Sequence, residues 1–404
     1  DYRAVNALDN LNNGRICYIC NLVLKVMEKK ITIKEVKNSK DLMAFIKFPM
    51  DLYKGNPYFV PPLINDEKNI WNPKENPAYA YSEAKQFLAL KGEKVVGRVA
   101  VIINHKEAEE LGIHKVRFGW LDFIDDIEVS EALFETVKNY AREKGIAKIE
   151  GPMGFTNLDK AGMLTKGFDR LATMIGIYNH SYYPEHLEKL GLSKEKKWVE
   201  FEIAFPDQLN EKILKFNDLV LEKHKLRVLK FKNKREILPF VEPMFKLLDE
   251  TYKNLSTYTP ITDEQIKTYK EKYFSFIDKD FIICIENAKG ELISFAITMP
   301  SYSKALQKAN GKLFPFGWWH FLQAGRKNDR ANFYLIGIHP DYQRQGITSI
   351  IFKEIYDVFK KRGVKFLETN PELEENKSIQ LLWKDYNPEN HKRRRTYSLT
   401  LDEI

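Results

Sequence analysis

The segment Phe333 to Ser349 reads Phe-Tyr-Leu-Ile-Gly-Ile-His-Pro-Asp-Tyr-Gln-Arg-Gln-Gly-Ile-Thr-Ser. An apolar, strand-like run feeds a short polar loop, and the periodicity predicts a helix directly after it. The first amides of a helix have no partner inside it. Together with the helix dipole they attract an anion. Gly346 has no Cβ to keep the backbone away from that anion. Arg344 adds a planar fork suited to phosphate. The loop Gln343, Arg344, Gln345, Gly346, Ile347 and Thr348 is therefore expected to hold a pyrophosphate.

Metal chemistry has less support. Cys17 and Cys20 have ligand-like spacing, but a structural zinc site needs about four ligands and no second pair follows. Three cysteines in 404 residues make no disulfide framework, which fits a reducing compartment. No apolar stretch reaches membrane-spanning length, so a cytoplasmic protein is expected. The net charge is +8, with Lys and Glu interspersed along most of the chain. The one dense basic run, His391 to Arg395, reads as solvated charge beside a last strand, Thr396 to Leu401, with the phosphates of a nearby ligand as the alternative partner. The aromatic run Phe314-Pro315-Phe316-Gly317-Trp318-Trp319 reads as core or interface, or as the lining of an apolar channel.

The elements that must position the loop occur twice. Phe87 to Val101 and Phe281 to Ile297 each place two β-rich runs around a Lys-Gly-Glu turn, a hairpin signal. Each hairpin is followed by a separate strand, Val116 to Phe123 and Asn332 to Ile338. An amphipathic helix comes next, marked by Leu133, Val137 and Tyr140 in one case and by Ile351, Ile355 and Val358 in the other. Both helices stop at a glycine, Gly145 and Gly363. A strand ending near a proline follows each. Helices around Asp41 to Tyr53 and Ile237 to Leu255 precede the hairpins. The expected fold is α/β: a duplicated mixed sheet with helices on both faces. The expected division is a foreign or disordered leader over 1–26, one domain over 27–205 and a second over 206–404.

The loop and its surroundings resemble the GNAT superfamily, the GCN5-related N-acetyltransferases. The family's pyrophosphate loop reads Gln or Arg, two residues, Gly, one residue, then Gly or Ala. This chain supplies Gln343 and Gly346, and departs from the pattern at Thr348. More loosely, the whole chain is similar to the tandem GNAT-like proteins of bacteria, through Asn56-Pro57-Tyr58-Phe59-Val60-Pro61-Pro62, Gly151-Pro152 and Pro315-Phe316-Gly317-Trp318. The resemblance implies two tandem acyltransferase-type domains and acetyl-CoA or another acyl-CoA as cosubstrate, without a metal. It implies that Leu335, Ile336, Gly337 and Ile338 bond the pantetheine arm, and that Asn376 fills the family's Asn position. An N–H near Gly337 or Ile338 would polarise the thioester. Trp383 stands where the family has a Tyr that protonates the departing thiolate, so Tyr386 or Tyr334 would have to replace it. Glu368, Glu372 and Glu375 are candidate bases, with His320 and His339 behind them, and Glu368, Glu375 and Tyr386 are the expected catalytic residues.

The matching loop of the first half, Asp122 to Ser130, has four carboxylates and no glycine. Those charges would repel a pyrophosphate, so the first domain is expected to bind no coenzyme A there. It would instead be structural or shape the acceptor side through Gly151 to Gly154, Asn157, Tyr178-Asn179 and Tyr182-Tyr183. The expected activity is N-acylation of a small-molecule or peptide amine. The alternative is a non-catalytic acyl-CoA binder or sensor of the same fold. Neither a membrane nor nucleic acid is an expected partner. Gly346→Asp is expected to abolish coenzyme A binding, as read by calorimetry.

Overall fold

A computed structural model describes residues 30–402, apart from positions 157, 207, 210, 253–260, 275–276 and 384–385. The expected leader, with Cys17 and Cys20, lies outside the described residues, as does Asn157. Fourteen strands follow in chain order. They are β1 Ile31–Glu35, β2 Ser82–Lys91, β3 Lys94–Asn104, β4 Lys115–Phe123, β5 Lys148–Gly151, β6 Met163–Lys166 and β7 Ser193–Ala204. The others are β8 Arg227–Val228, β9 Ile282–Glu286, β10 Leu292–Pro300, β11 Arg330–Ile338, β12 Phe366–Thr369, β13 Glu372–Leu373 and β14 Glu389–Thr400.

Both expected hairpins form, as β2/β3 and β9/β10, with glycines of positive φ, Gly92 and Gly290, in their turns. A helix joins β4 to its parallel partner β5, Ile127–Glu143, and another joins β11 to its parallel partner β12, Ile347–Arg362. The apolar stripes of these helices, Val129, Leu133 and Val137 in one and Ile351, Ile355 and Phe359 in the other, cover one face of the sheet. Helices Ser39–Leu52 and Leu238–Tyr252 cover the opposite face, through Phe45 and Ile46 and through Met244, Leu247 and Leu248. The fold is thus α/β with helices on both sides, built twice.

The two halves do not close separately. The strand order is β1-β2-β3-β4-β5-β14-β7-β12-β11-β10-β9-β8, one continuous sheet. The final strand β14 crosses into the first half and pairs with β5. β7, which precedes residue 205, pairs with β12 of the second half. Each half therefore completes its sheet with a strand from the other, and β14 and β7 pair together at the centre.

This exchange overturns the reading of the basic run. β14 begins at Glu389, so His391 to Arg395 are inside the strand, and beyond the irregularity at His391 Lys392 and Arg394 share one face with Arg393 on the other. Lys392 and Arg394 are almost fully buried, while Arg393 is exposed. Arg394 bonds the buried Glu200 of β7 and the carbonyl of Ile177, and Lys392 bonds Glu368 of β12 and the carbonyl of Leu171. The charges face partners because no water reaches them. Burying them alone would cost several kcal/mol each. A mixed apolar cluster adds to the join. Tyr53, Val60, Leu164 and Tyr178 of the first half pack with Met299, Tyr302, Leu306 and Phe321 of the second.

Arg394→Ala strands the Glu200 carboxylate in the interior and should destabilise the chain by about 3–5 kcal/mol in urea unfolding. Arg394→Met combined with Glu200→Leu should recover most of that loss. Because the halves share strands, both should melt in one calorimetric transition.

Candidate active site

The strands β11 and β12 separate as they run towards the candidate loop. Their parallel pairing stops at Phe333–Thr369, whereas β11 continues to Ile338. A register shift between Ile297 and Thr298 leaves Tyr334 as an extra residue in β11, and such a bulge bends the strand. The result is a wedge, with the free edge of Leu335 to Ile338 on one side.

The direction of that edge follows from its hydrogen bonds. His339 N–H donates to Ile293 O at 2.9 Å, and Gly337 lies opposite Phe295. Bonding direction alternates along a strand, so Gly337 and Leu335 face β10 while Ile336 and Ile338 face the wedge. The carbonyls agree. Tyr252 Oη donates to Ile336 O at 3.2 Å, and Gln343 Nε2 donates to Ile338 O at 3.1 Å. The N–H groups of Ile336 and Ile338 point the same way. They are the donors that a thioester carbonyl laid in the wedge would meet, and Gly337, one of the two expected donors, is not.

Beyond the wedge, the helix Ile347–Arg362 starts at Gly346, whose φ is +85°. No side chain caps this helix. The matching helix of the first half differs. Asp126 caps it through Glu128 N–H at 3.1 Å and pairs with Lys91 at 3.1 Å. The first wedge is also closed. Met153 N–H donates to Phe118 O at 2.9 Å, and Tyr183 Oη accepts from Phe123 N–H at 3.0 Å. The open donors of the second half are filled by side chains and a loop in the first.

Glu372 stands at the narrow end of the open wedge. It begins β13, which pairs with β7 with Glu372 opposite Val199. Trp383 Nε1 donates to Glu372 Oε1 at 2.7 Å, and Oε2 is buried without a partner. Burial raises the carboxyl to a pKa of about 8, opposed by the Trp383 hydrogen bond and the nearby Thr369 hydroxyl, with the Glu200 charge adding. Burial, with the Glu372 charge adding, pushes the Tyr252 hydroxyl up to about 12.

Residues 243–384 match the family described as acetyltransferase (GNAT). The chain is 26% identical over 374 residues to protein YghO of Escherichia coli (strain K12), covering 90% of this chain and 94% of that one. It is 22% identical over 384 residues to a bacterial ceramide synthase of Caulobacter vibrioides (strain NA1000 / CB15N), covering 92% and 98%. A solved tandem GNAT protein from the clavulanic acid biosynthesis pathway superposes with a TM-score of 0.54 at 9% identity, covering 92% of this chain and 98% of that one. The whole chain has the fold of a tandem GNAT protein, and residues 243–384 carry the GNAT family match.

In this tandem GNAT fold the expected acid–base residues are dispersed. Glu368 lies on β12, where burial would raise its pKa, but the Lys392 charge and the His391 hydrogen bond hold it at about 2. A carboxylate so held is a weak proton acceptor, and its role is to anchor β14. Glu375 is exposed. Tyr386 is half-buried and stacks on Phe352 with ring centroids 4.7 Å apart. Asn376 caps the short helix Lys377–Gln380, accepting from Ile379 N–H at 3.4 Å. Trp383 is buried between Phe333 and Phe352, and its one polar atom orients Glu372. His339 accepts from Asp341 N–H in the turn, a local role. Tyr178 and Asn179 bond backbone carbonyls at Phe168 and Leu164, so they brace a loop. Tyr252 lacked any signal in the sequence, because only the tertiary fold carries the end of its helix to β11. Among the described residues no cluster of His, Cys, Asp or Glu is arranged to hold a metal.

Gly346 is a glycine for a reason other than phosphate approach. A Cβ there would lie 2.7 Å from Phe216 and 2.9 Å from Val220, on the helix Glu211–His224. Gly346→Asp would therefore disturb packing and is not a clean test of the anion site. Gly346→Ala should cost about 1–3 kcal/mol in thermal or urea unfolding, from positive φ and crowding. Arg344 is exposed, and Arg344→Ala should leave the melting temperature unchanged while weakening coenzyme A binding about tenfold by calorimetry.

Proposed function

We propose that this protein is an N-acyltransferase, with the acyl group drawn from acyl-CoA and Glu372 as the general base, and that the acceptor is a long-chain amine. The GNAT fold supports acyl transfer from acyl-CoA in general. The observation that carries the finer reading is a buried carboxylate with one unpartnered oxygen at the end of a wedge whose other side presents free N–H donors.

The residues divide the work as follows. The uncapped start of helix Ile347–Arg362, with Arg344 and Gln345, receives the pyrophosphate. The wedge edge of β11 bonds the pantetheine arm, and Ile336 or Ile338 N–H takes the charge that develops on the thioester oxygen. Glu372 removes a proton from the acceptor ammonium or from the attacking amine. The nitrogen bonds the carbonyl carbon, the C–S bond breaks, and the thiolate takes a proton. Tyr252, whose hydroxyl bonds the wedge-facing carbonyl of Ile336, is the phenol we assign to protonate that thiolate. Trp383 fixes the Glu372 rotamer from behind.

A pKa near 8 makes Glu372 a stronger base than an ordinary carboxylate, with its ionised form increasingly populated as pH rises towards 8. The acceptor class rests on the relative named a ceramide synthase, because a ceramide is the amide of a fatty acid with a long-chain amino alcohol. The apolar residues Met299, Tyr302, Leu306, Phe321 and Tyr334 pack beside the bulge, where such a chain would lie.

The rate constant kcat/KM should rise with pH through a midpoint near 8, the free carboxylate being the active form. Glu372→Gln should lower it about 10²–10⁴-fold and remove that midpoint, leaving only the titration of the amine itself. Stability runs the other way. The folded pKa is raised, so the contribution of Glu372 is lost between about pH 4.3, the unfolded value, and about pH 8. Thiol release from long-chain acyl-CoA with a C18 amino alcohol measures the reaction. No turnover with any long-chain amine would sink the acceptor assignment, and an unaltered Glu372→Gln profile would sink the base.

A further inference from the structure

The helix Gly317–Arg326 is apolar on two faces and buries only one. Gly317 and Phe321, four residues apart, turn inward, and Phe321 stacks on Tyr302 with centroids 5.5 Å apart. Trp318, Trp319 and Leu322 turn outward and are 43%, 47% and 46% exposed. In the loop just before them Phe314 and Phe316 are 78% and 75% exposed. Five large apolar side chains thus share one projecting surface. A contiguous patch of this kind marks an interaction site.

The charge around the patch is one-sided. Residues 301–330 contain Lys304, Lys308, Lys312, Arg326, Lys327 and Arg330 against one carboxylate, Asp329. Lys304, Lys308, Lys312, Arg326 and Lys327 are exposed, and among the described residues none of the five lies within ion-pair distance of a carboxylate. Arg326 follows Trp318 and Leu322 on the same helix face, eight and four residues on. Exposed Trp and Phe ringed by Lys and Arg is the pattern of an element that lies in a bilayer interface, with rings at headgroup depth and cations on anionic lipid.

We propose that the segment 304–327 docks this protein on an anionic lipid bilayer, with Phe314, Phe316, Trp318, Trp319 and Leu322 entering the headgroup region. The expectation that no membrane is involved came from the lack of a spanning segment. Among the described residues no helix is long and apolar enough to cross a membrane, and a surface-bound mode needs none. The docking proposal stands on this surface alone and survives if the acceptor proves to be another amine. If the acceptor is a long-chain amine, its position is apt. Tyr302 and Phe321, behind the patch, belong to the same apolar cluster as Tyr334 at the bulge of β11, so a chain leaving the bilayer would be near the wedge.

The test is flotation of the full chain with vesicles of phosphatidylcholine alone and of phosphatidylcholine with 30% phosphatidylglycerol, where ~30% is chosen to give a strongly negative surface. Wild type should float with the anionic vesicles, less so as salt rises, and its tryptophan emission should be quenched by brominated lipid. Phe316→Ser with Trp318→Ser and Trp319→Ser should abolish flotation and quenching while circular dichroism is unchanged. Lys304→Gln with Lys308→Gln and Lys312→Gln should weaken binding about a hundredfold, at about fivefold per lysine. Flotation that persists undiminished in the aromatic variant overturns the proposal, as does no binding to anionic vesicles. A dimer that becomes monomeric in the aromatic variant, with no vesicle binding, would mean that a second copy covers this surface instead.

Discussion

The reciprocal exchange of β7 and β14 is the constraint on which the remaining architecture depends. β14 joins β5 to β7, and β7 joins β14 to β12. Through these pairings the two halves share one sheet, and the buried pairs Arg394–Glu200 and Lys392–Glu368 fix the register at its centre. A slip by one residue would turn Arg394 and Lys392 to the opposite face and leave both carboxylates unpaired. Such pairs contribute little net stability over an apolar substitute. Their value here is that wrong arrangements are costly.

The same exchange builds the site. Glu372 is held by pairing of β13 with β7, a strand contributed by the first half. The first half thus supplies the strand that positions Glu372. Its wedge is closed by Met153, its helix is capped by Asp126, and Tyr183 occupies the N–H of Phe123. Asp122 is buried with Arg98, Tyr53 and Tyr183, so the acidic loop serves its own core. Duplicated architecture with one open and one filled wedge fits a division in which one copy positions and the other reacts.

Electrostatics at the open wedge is decided by which buried carboxylate has a cation against it. Glu368 and Glu372 are four residues apart, yet their pKa values move in opposite directions, to about 2 and about 8. Glu368 has a lysine and a histidine against it. Glu372 has an indole N–H and a hydroxyl but no cation, and burial therefore favours its proton. Composition and spacing cannot distinguish two such glutamates, since the difference lies in which strand each one faces.

The sequence by itself determined the local elements and the glycine turn that starts the helix Ile347–Arg362. Hairpins, helix stripes and glycine stops depend on neighbours a few residues away, so Phe87 to Val101, Phe281 to Ile297, and the helices after Asp126 and Gly346 were legible. So was the contrast between a glycine loop and a carboxylate loop, because charge at a helix start acts locally. The tertiary structure alone decided what was far apart in the chain. It placed β14 beside β5, made a solvated-looking basic run the buried centre of the sheet, brought Tyr252 to Ile336, and left Trp318 and Trp319 outside the core. Those outcomes depend on long-range pairing, where the same side chain is buried or exposed according to which surface arrives opposite it.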